Sequence, residues 1–186
     1  MHKKAIAKWP DTFANYKTKH LLTVFAAGPH RLRKVIDGLS DEVLTARPRP
    51  GKWCIKEIIP HVTDSEVQAT FRIKLVLAQP GIVWPVYDQD IWAKEHAYQT
   101  LTLSELENSL QLFGALRALT TPLLTKARAE DWLKKGVHPE FGPMTLRNLL
   151  ELYADHSERH IDQILTMRSM LGETVDMQPI LEERLF

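Results

Sequence analysis

Apolar residues recur at intervals of three and four along most of this chain, and this spacing constrains its fold more than any other feature. The strict alternation that is typical of a half-buried strand is almost absent. The nearest case, residues 81–88 (GIVWPVYD), contains a proline that disfavours a central strand. The pattern therefore predicts an all-α protein.

Four stretches carry the helical period, and turn residues separate them. Their approximate limits are 11–38, with a break at Gly28-Pro29, then 53–79, 104–124 and 145–171. Ser104 is the expected cap of the third stretch and Thr145 of the fourth, while Pro60 should kink the second. Four amphipathic helices predict a four-helix bundle, with a long loop between helices 2 and 3 that serves or covers a site.

Composition and charge exclude several classes of protein. The 186 residues suit a single domain spanning 1–186, and a net charge of +1 without a basic block argues against nucleic acid as a partner. The longest apolar run, residues 21–27, is too short to cross a membrane, and residues 1–11 do not form a secretory leader. The lone Cys54 excludes an internal disulfide. We therefore expect a cytoplasmic protein that binds neither nucleic acid nor a membrane.

Three histidines are the candidate metal ligands. His156 and His160 lie four residues apart in the apolar stripe of the fourth helix, so their rings are neighbours that point into the bundle. This pair alone is equally consistent with core histidines, although two adjacent buried imidazoles need hydrogen-bond partners. His61 lies on the inward stripe of the second helix. Three neutral imidazoles from two facing helices would suit Zn²⁺, Ni²⁺ or Fe²⁺ and leave coordination positions open.

Asp64 follows His61 by about one helical turn and is the candidate catalytic residue. It could orient an imidazole or accept a proton from metal-bound water, and the alternative is a solvated helical aspartate. Ser157, not glutamate, follows His156, so the two-histidine motif of metalloproteases is absent.

Two segments of the chain resemble the signatures of the DinB/YfiT-like superfamily. They are residues 50–66 (PGKWCIKEIIPHVTDSE) and residues 149–164 (LLELYADHSERHIDQI), and residues 88–93 (DQDIWA) and 116–117 (LR) also fit its YfiT-like branch. Two positions depart from that pattern, since Cys54 replaces a serine cap and Pro60 precedes the first histidine.

The resemblance implies a four-helix bundle in which His61, His156 and His160 hold a divalent metal. Members are described as metal-dependent hydrolases, and related enzymes are thiol S-transferases or thiol-dependent isomerases that use bacillithiol, mycothiol or glutathione. The leading hypothesis is therefore a bacterial, metal-dependent S-transferase with a low-molecular-weight thiol as co-substrate and an electrophilic small molecule as substrate. A homodimer is a candidate assembly.

Two other functions remain open at this stage. One is a hydrolase in which metal-bound water is the nucleophile and Asp64 is the base. The other is a non-enzymatic metal-binding stress protein. A cavity beside the metal would favour an enzyme, whereas a sealed site would favour the stress protein.

Several other residues have both a functional and a structural interpretation. Cys54 could be a nucleophile or only a weak helix cap, and His138 could line the mouth of the site or be a solvated loop residue. Trp84, Tyr87 and Trp92 could form an aromatic wall or close the end of the bundle. Arg117 could pair with Asp64, pair with a substrate carboxylate, or extend into solvent.

Overall fold

The computed structural model of the protein describes residues 9–185 and has four long helices where the sequence predicts them. The expectation that no secretory leader is present also concerns residues 1–8, which lie outside the described range. The long helices are α1 Thr18–Ile36, α3 Ile55–Ala78, α5 Leu103–Thr125 and α6 Leu146–Met170, the short ones are α2 Asp41–Thr45 and α4 Gln89–Glu95, and the strands are β1 Lys135–His138 and β2 Gly142–Thr145.

The prediction of an all-α bundle is confirmed, with one small addition. β1 and β2 form an antiparallel hairpin in which Lys135 pairs with Thr145. Each strand has only four residues, which is too short for an alternating apolar and polar pattern to be recognised in the sequence. The stretch at 81–88 contributes a single bridge, from Val83 to Val137.

The ends of the long helices follow standard capping chemistry. Helix α5 begins two residues earlier than expected, because Thr102 and not Ser104 is its cap. Thr102 Oγ1 accepts a hydrogen bond from Glu105 N, and the Glu105 carboxylate accepts one from Thr102 N at 2.7 Å. Thr145 caps α6 as predicted. Gly172 follows that helix with φ +76°, a conformation that favours glycine.

Helix α1 differs from its prediction at both its start and its middle. It begins at Thr18, and it continues without a break through Gly28 and Pro29. Proline has no N–H, so the carbonyl of Phe25 loses its helical donor, but Arg117 Nη1 donates to that oxygen at 2.5 Å instead. Helix α3 likewise continues through Pro60 as one α-helix.

The order and direction of the long helices explain the long loop. Thr63 donates to the carbonyl of Ser109, and Arg117 is paired with Glu66 further along, so α3 and α5 run in the same direction. The chain must therefore return along the bundle between them. Residues 79–102, which we call the crossover segment, do this and contain α4.

The apolar core is divided by a polar layer at mid-height. One apolar cluster includes Phe25 and Trp84, and the other includes Leu32 and Phe113. Between them, each long helix contributes small, polar or charged residues, including Gly28 of α1, residues 63–66 of α3, Arg117 of α5 and residues 155–160 of α6. The candidate site lies in this layer. Within the described part of the chain, no helix is both long and apolar enough to cross a membrane.

Candidate metal centre

The structure brings His61, His156 and His160 together across α3 and α6. The Nε2 atoms of His61 and His160 each lie 3.2 Å from Nε2 of His156. Each of the three residues offers one ring nitrogen, and these atoms all lie within 4.8 Å of one another. In the part of the chain that the structure describes, no other group of histidine, cysteine or acidic residues is this closely gathered.

All three imidazoles are held in the neutral form. Burial is the largest cause in each case, and neighbouring positive charges add to it. The pKa of His61 falls to about 3 and that of His160 to about 4, while the pKa of His156 lies well below its ordinary value. Neutral imidazole is the form that binds a metal, so the ligand atoms are available at physiological pH.

Hydrogen bonds among the three imidazole rings cannot supply a partner for every ring nitrogen of the cluster. The side-chain oxygen of Gln163 lies 3.0 Å from Nδ1 of His160 and can accept its proton, which would leave Nε2 of His160 without a hydrogen. A proton on Nε2 of His156 can serve only one of its two neighbours. At least one ring nitrogen in the cluster therefore has a lone pair that receives no hydrogen bond from another ring.

The spacing of the nitrogens fits a bound divalent cation. Two nitrogens at 2.0–2.1 Å from a tetrahedral ion lie about 3.3–3.4 Å apart. The observed separation of 3.2 Å between Nε2 atoms is close to that value. Three imidazoles without a carboxylate are also a ligand set that leaves an open position on zinc.

The three histidines differ in how far they are buried. His61 is only 3% exposed, and the ring of Trp53 packs against it with centroids 4.9 Å apart. His156 and His160 are only partly buried. The exposed surface of the cluster therefore lies on its α6 side.

Asp64 lies one turn after His61 but does not belong to the group of converging ligand atoms. Its carboxylate accepts a hydrogen bond from the hydroxyl of Tyr98, in the crossover segment. Burial raises the pKa of Asp64, although the hydrogen bond from Tyr98 opposes the rise. Asp64 is thus a half-buried acid one turn from a cluster ligand, and the alternative of a solvated helical aspartate is wrong.

Two of the other candidate residues have structural roles. Cys54 is buried at the start of α3, where its N–H donates to Glu57, and burial raises the pKa of its thiol, which disfavours a nucleophile. Arg117 is only 2% exposed and pairs with Glu66, with Nε and Oε2 2.6 Å apart, so it neither pairs with Asp64 nor extends into solvent.

The remaining candidates divide between the core and the crossover segment. His138 is buried in β1 and stacks on Phe141, so neither of its expected positions is correct. Trp84 is 1% exposed and helps to close one end of the bundle. Tyr87 and Trp92 contact each other, with ring centroids 4.5 Å apart, and both are partly exposed.

Two residues at this site were not identified from the sequence. Gln163 lies three residues after His160, a spacing that places both on one helix face, so this signal was available. Tyr98 reaches Asp64 from a segment 34 residues away in the sequence, and no local pattern reveals that contact.

Comparisons with known proteins agree on one family. The family model described as the DinB superfamily matches residues 25–164. A protein of Bacillus cereus strain G9842 is 31% identical over 146 residues, which cover 77% of this chain and 81% of the relative. A protein of Oceanobacillus iheyensis is 29% identical over 139 residues, which cover 75% and 78%. Both bear the provisional name of metal-dependent hydrolase.

A solved structure has the same fold. YfiT from Bacillus subtilis matches with a TM-score of 0.81 and 24% identity, over 90% of this chain and 94% of that chain. It is described as a "probable metal-dependent hydrolase with an unusual four-helix bundle topology". The parallel pairing of α3 and α5, with its long crossover, accounts for an unusual topology in the present chain.

Proposed function

Because the chain belongs to the DinB superfamily, we propose that it is a metal-dependent enzyme of the bacterial cytoplasm in which His61, His156 and His160 hold a divalent ion. We propose further that it joins a low-molecular-weight thiol to an electrophilic small molecule. The sulfur forms a bond to the electrophilic carbon, the leaving group departs with its electron pair, and the thiol proton passes to solvent.

The observation that carries this proposal is the convergence of three neutral imidazole nitrogens at a partly exposed position. A divalent ion held by such a set acts as a Lewis acid and lowers the pKa of a thiol or water that binds in its open position. The partial exposure of His156 and His160 argues against the sealed site of a non-enzymatic metal-binding protein.

The position of Asp64 favours a thiol as the nucleophile. A water molecule that attacks a substrate needs a base to take its proton during the reaction. Asp64 is the nearest candidate in sequence, but its carboxylate is not among the ligand atoms that converge within 4.8 Å, and it holds Tyr98 of the crossover segment instead. A thiol that is deprotonated on binding needs no dedicated base. In this arrangement Asp64 positions the crossover segment through Tyr98.

A hydrolase is the second candidate, and two observations favour it. The relatives are named as metal-dependent hydrolases, and burial raises the pKa of Asp64 toward the range of a useful proton acceptor. The two functions differ in whether a thiol is required.

The first experiment measures metal content and turnover in the purified protein. We expect about one divalent ion per chain, and the variant His156→Ala should lose it while keeping its helical circular dichroism. His30→Ala is the matched control, because His30 is an exposed histidine outside the cluster, and it should retain the metal. Unchanged metal content in His156→Ala would contradict the proposed ligand set.

The second experiment decides between the two nucleophiles. An electrophilic alkyl halide is supplied with and without glutathione or cysteine, and an ester substrate is supplied without any thiol. We expect turnover only when a thiol is present, and Asp64→Asn should reduce it by about 10- to 100-fold, as a positioning residue does. Full turnover of the ester without thiol, with a loss of about 10²–10⁴ in Asp64→Asn, would establish the hydrolase instead.

A further inference from the structure

Arg72 of α3 is a buried cation without a carboxylate partner. It is 6% exposed, and no acidic oxygen of the described residues lies within 4.0 Å of its guanidinium. The other arginines that are buried to this degree, Arg117 and Arg168, are paired with Glu66 and Glu173. A buried charge is costly unless it is paired, so the environment of Arg72 needs an explanation.

The neighbours of Arg72 satisfy only part of its hydrogen-bonding capacity. Nη1 donates to the hydroxyl of Tyr153 at 2.9 Å, and Nη2 donates to the carbonyl of Pro85 at 3.1 Å. Nε has no hydrogen-bond partner although it is buried. The guanidinium lies 5.6 Å from the centre of the Trp84 ring, which provides a cation–π contact but no negative charge. The free Nε edge is suited to a carboxylate, which guanidinium binds with two parallel hydrogen bonds.

The position of Arg72 relates it to the proposed metal centre. It follows His61 by three helical turns, or roughly 16 Å along α3, and its side chain leans back toward the start of the helix. The guanidinium therefore lies on the order of 10 Å from the histidines. Its partner Tyr153 precedes His156 by one turn of α6.

The crossover segment contacts both positions. The carbonyl of Pro85 accepts a hydrogen bond from Nη2 of Arg72, and the hydroxyl of Tyr98 donates one to the carboxylate of Asp64. Asp64 lies one turn from His61. The crossover segment thus links the guanidinium of Arg72 to the helical turn that carries Asp64 and His61.

We infer that Arg72 is a specificity-determining residue that binds a carboxylate of the substrate, on the order of 10 Å from the reacting atom. This inference rests on the proposed function, since it takes the three histidines as the reaction centre. The substrate class is an acid whose carboxylate lies about eight bonds from the thiol sulfur or from the electrophilic carbon. The bound carboxylate supplies the negative charge that the protein itself does not provide.

The test compares an acid with its neutral amide in metal-loaded protein. The Kd of mercaptooctanoate and of mercaptooctanamide is measured by titration calorimetry for the wild type, Arg72→Gln, Arg72→Lys and Arg33→Gln. We expect the wild type to bind the acid at least about tenfold more tightly than the amide. Arg72→Gln should lose this preference, whereas Arg72→Lys should keep part of it, because the positive charge remains. Arg33→Gln removes an exposed charge on α1 and should behave as the wild type does.

A second pair of ligands identifies which reactant carries the carboxylate. Bromooctanoate and bromooctanamide are compared by KM with a neutral thiol. An Arg72-dependent preference for the acid in this pair alone assigns the carboxylate to the electrophile. If neither pair shows a preference for the acid in the wild type, or if Arg72→Gln folds and retains the preference, Arg72 does not bind the substrate.

Metal-free protein separates this inference from the proposed function. Calorimetric titration with octanoate and octanamide needs neither the ion nor turnover. An Arg72-dependent preference for octanoate in metal-free protein would support the carboxylate site even if the metal and turnover experiments overturned the proposed enzyme. Turnover whose rate depends neither on Arg72 nor on the charge of either reactant would support the proposed enzyme and overturn the carboxylate site.

Discussion

At the residue scale, a metal-binding histidine needs one nitrogen free and a partner that fixes the orientation of the ring. His160 has such a partner in Gln163, at 3.0 Å from Nδ1, and His61 is held from the side by Trp53. The histidines themselves were recognisable from spacing and from the family resemblance. The spacing of Gln163 from His160 was a signal in the sequence, but a weak one, because a glutamine on a helix face is ordinarily a solvated residue.

We predict that Gln163→Leu weakens metal binding by about 10- to 100-fold, since partners that orient a ligand ring typically have effects of this size. Gln163→Glu should retain most of the affinity, because its carboxylate oxygen can accept the same hydrogen bond. Competition with a chromophoric chelator measures both variants. Equal affinities for Gln163→Leu and the wild type would show that the hydrogen bond has no role at the centre.

His138 makes a separate prediction about pH and stability. Burial, and then the charge of Arg72, lower its pKa to about 4. Its Nδ1 accepts a hydrogen bond from Glu140 N at 3.1 Å, which requires the neutral ring. Because the unfolded chain titrates this histidine at about 6.5, the unfolded state binds more protons than the folded state between pH 6.5 and 4. The stability contributed by the neutral ring is therefore present above about pH 6.5 and is lost as the pH falls toward 4.

The measurement is urea unfolding of metal-free wild type and His138→Gln from pH 7 to 4.5. The wild type should lose about 1–3 kcal/mol more than the variant over this interval. Parallel curves for the two proteins would mean that His138 is not held neutral in the folded state.

At the scale of elements, long periodic helices were predictable and their interruptions were not. Helices α3, α5 and α6 follow the apolar period to within a few residues. Gly28-Pro29 indicates a helix break by local rules, yet α1 continues, because Arg117 of another helix satisfies the carbonyl that proline leaves free. The β-hairpin was missed because each of its strands has only four residues, which is too short for an alternating pattern to be recognised.

Gly136 in β1 provides a prediction at this scale. A Cβ atom at this position would overlap the indole ring of Trp84, which is itself buried. Gly136→Ala should therefore lower the free energy of unfolding by about 1–3 kcal/mol through overpacking. Gly114→Ala is the control, because a Cβ there would meet only Pro29 of α1, at the ordinary contact distance of 3.9 Å, and should stabilise helix α5 by about 0.5–1 kcal/mol. Chemical unfolding of the two variants measures whether the free energy of unfolding falls in Gly136→Ala and rises in Gly114→Ala.

At the scale of the whole molecule, the parallel pairing of α3 with α5 determines what surrounds the candidate site. It obliges the crossover segment to pass along the bundle, where the hydroxyl of Tyr98 donates to Asp64 and the carbonyl of Pro85 accepts a hydrogen bond from Arg72. The helical periods predicted how many long helices there are, but they contain no information on helix direction. For this reason the histidines were identified from the sequence while the residues that the crossover segment adds were not.

Arg117 joins all four long helices in the polar layer. Its guanidinium pairs with Glu66 of α3 and donates to the carbonyls of Phe25 in α1 and Tyr153 in α6. Arg117→Met would leave the carboxylate of Glu66 buried and unpaired, so we predict a loss of about 3–5 kcal/mol. The double variant with Glu66→Leu should recover part of this loss, since replacing both members of a buried pair is often nearly neutral.

The part that is not recovered should come from the carbonyl of Phe25, which Pro29 deprives of its helical donor. Adding Pro29→Ala to the double variant restores an N–H within α1 and should return about 1 kcal/mol, the net value of one hydrogen bond. In the wild type the same substitution restores nothing, because Arg117 already donates to that oxygen. Unfolding free energies of the single, double and triple variants therefore measure a coupling between Pro29 and Arg117. Equal effects of Pro29→Ala in the two backgrounds would show that Arg117 does not compensate for the proline.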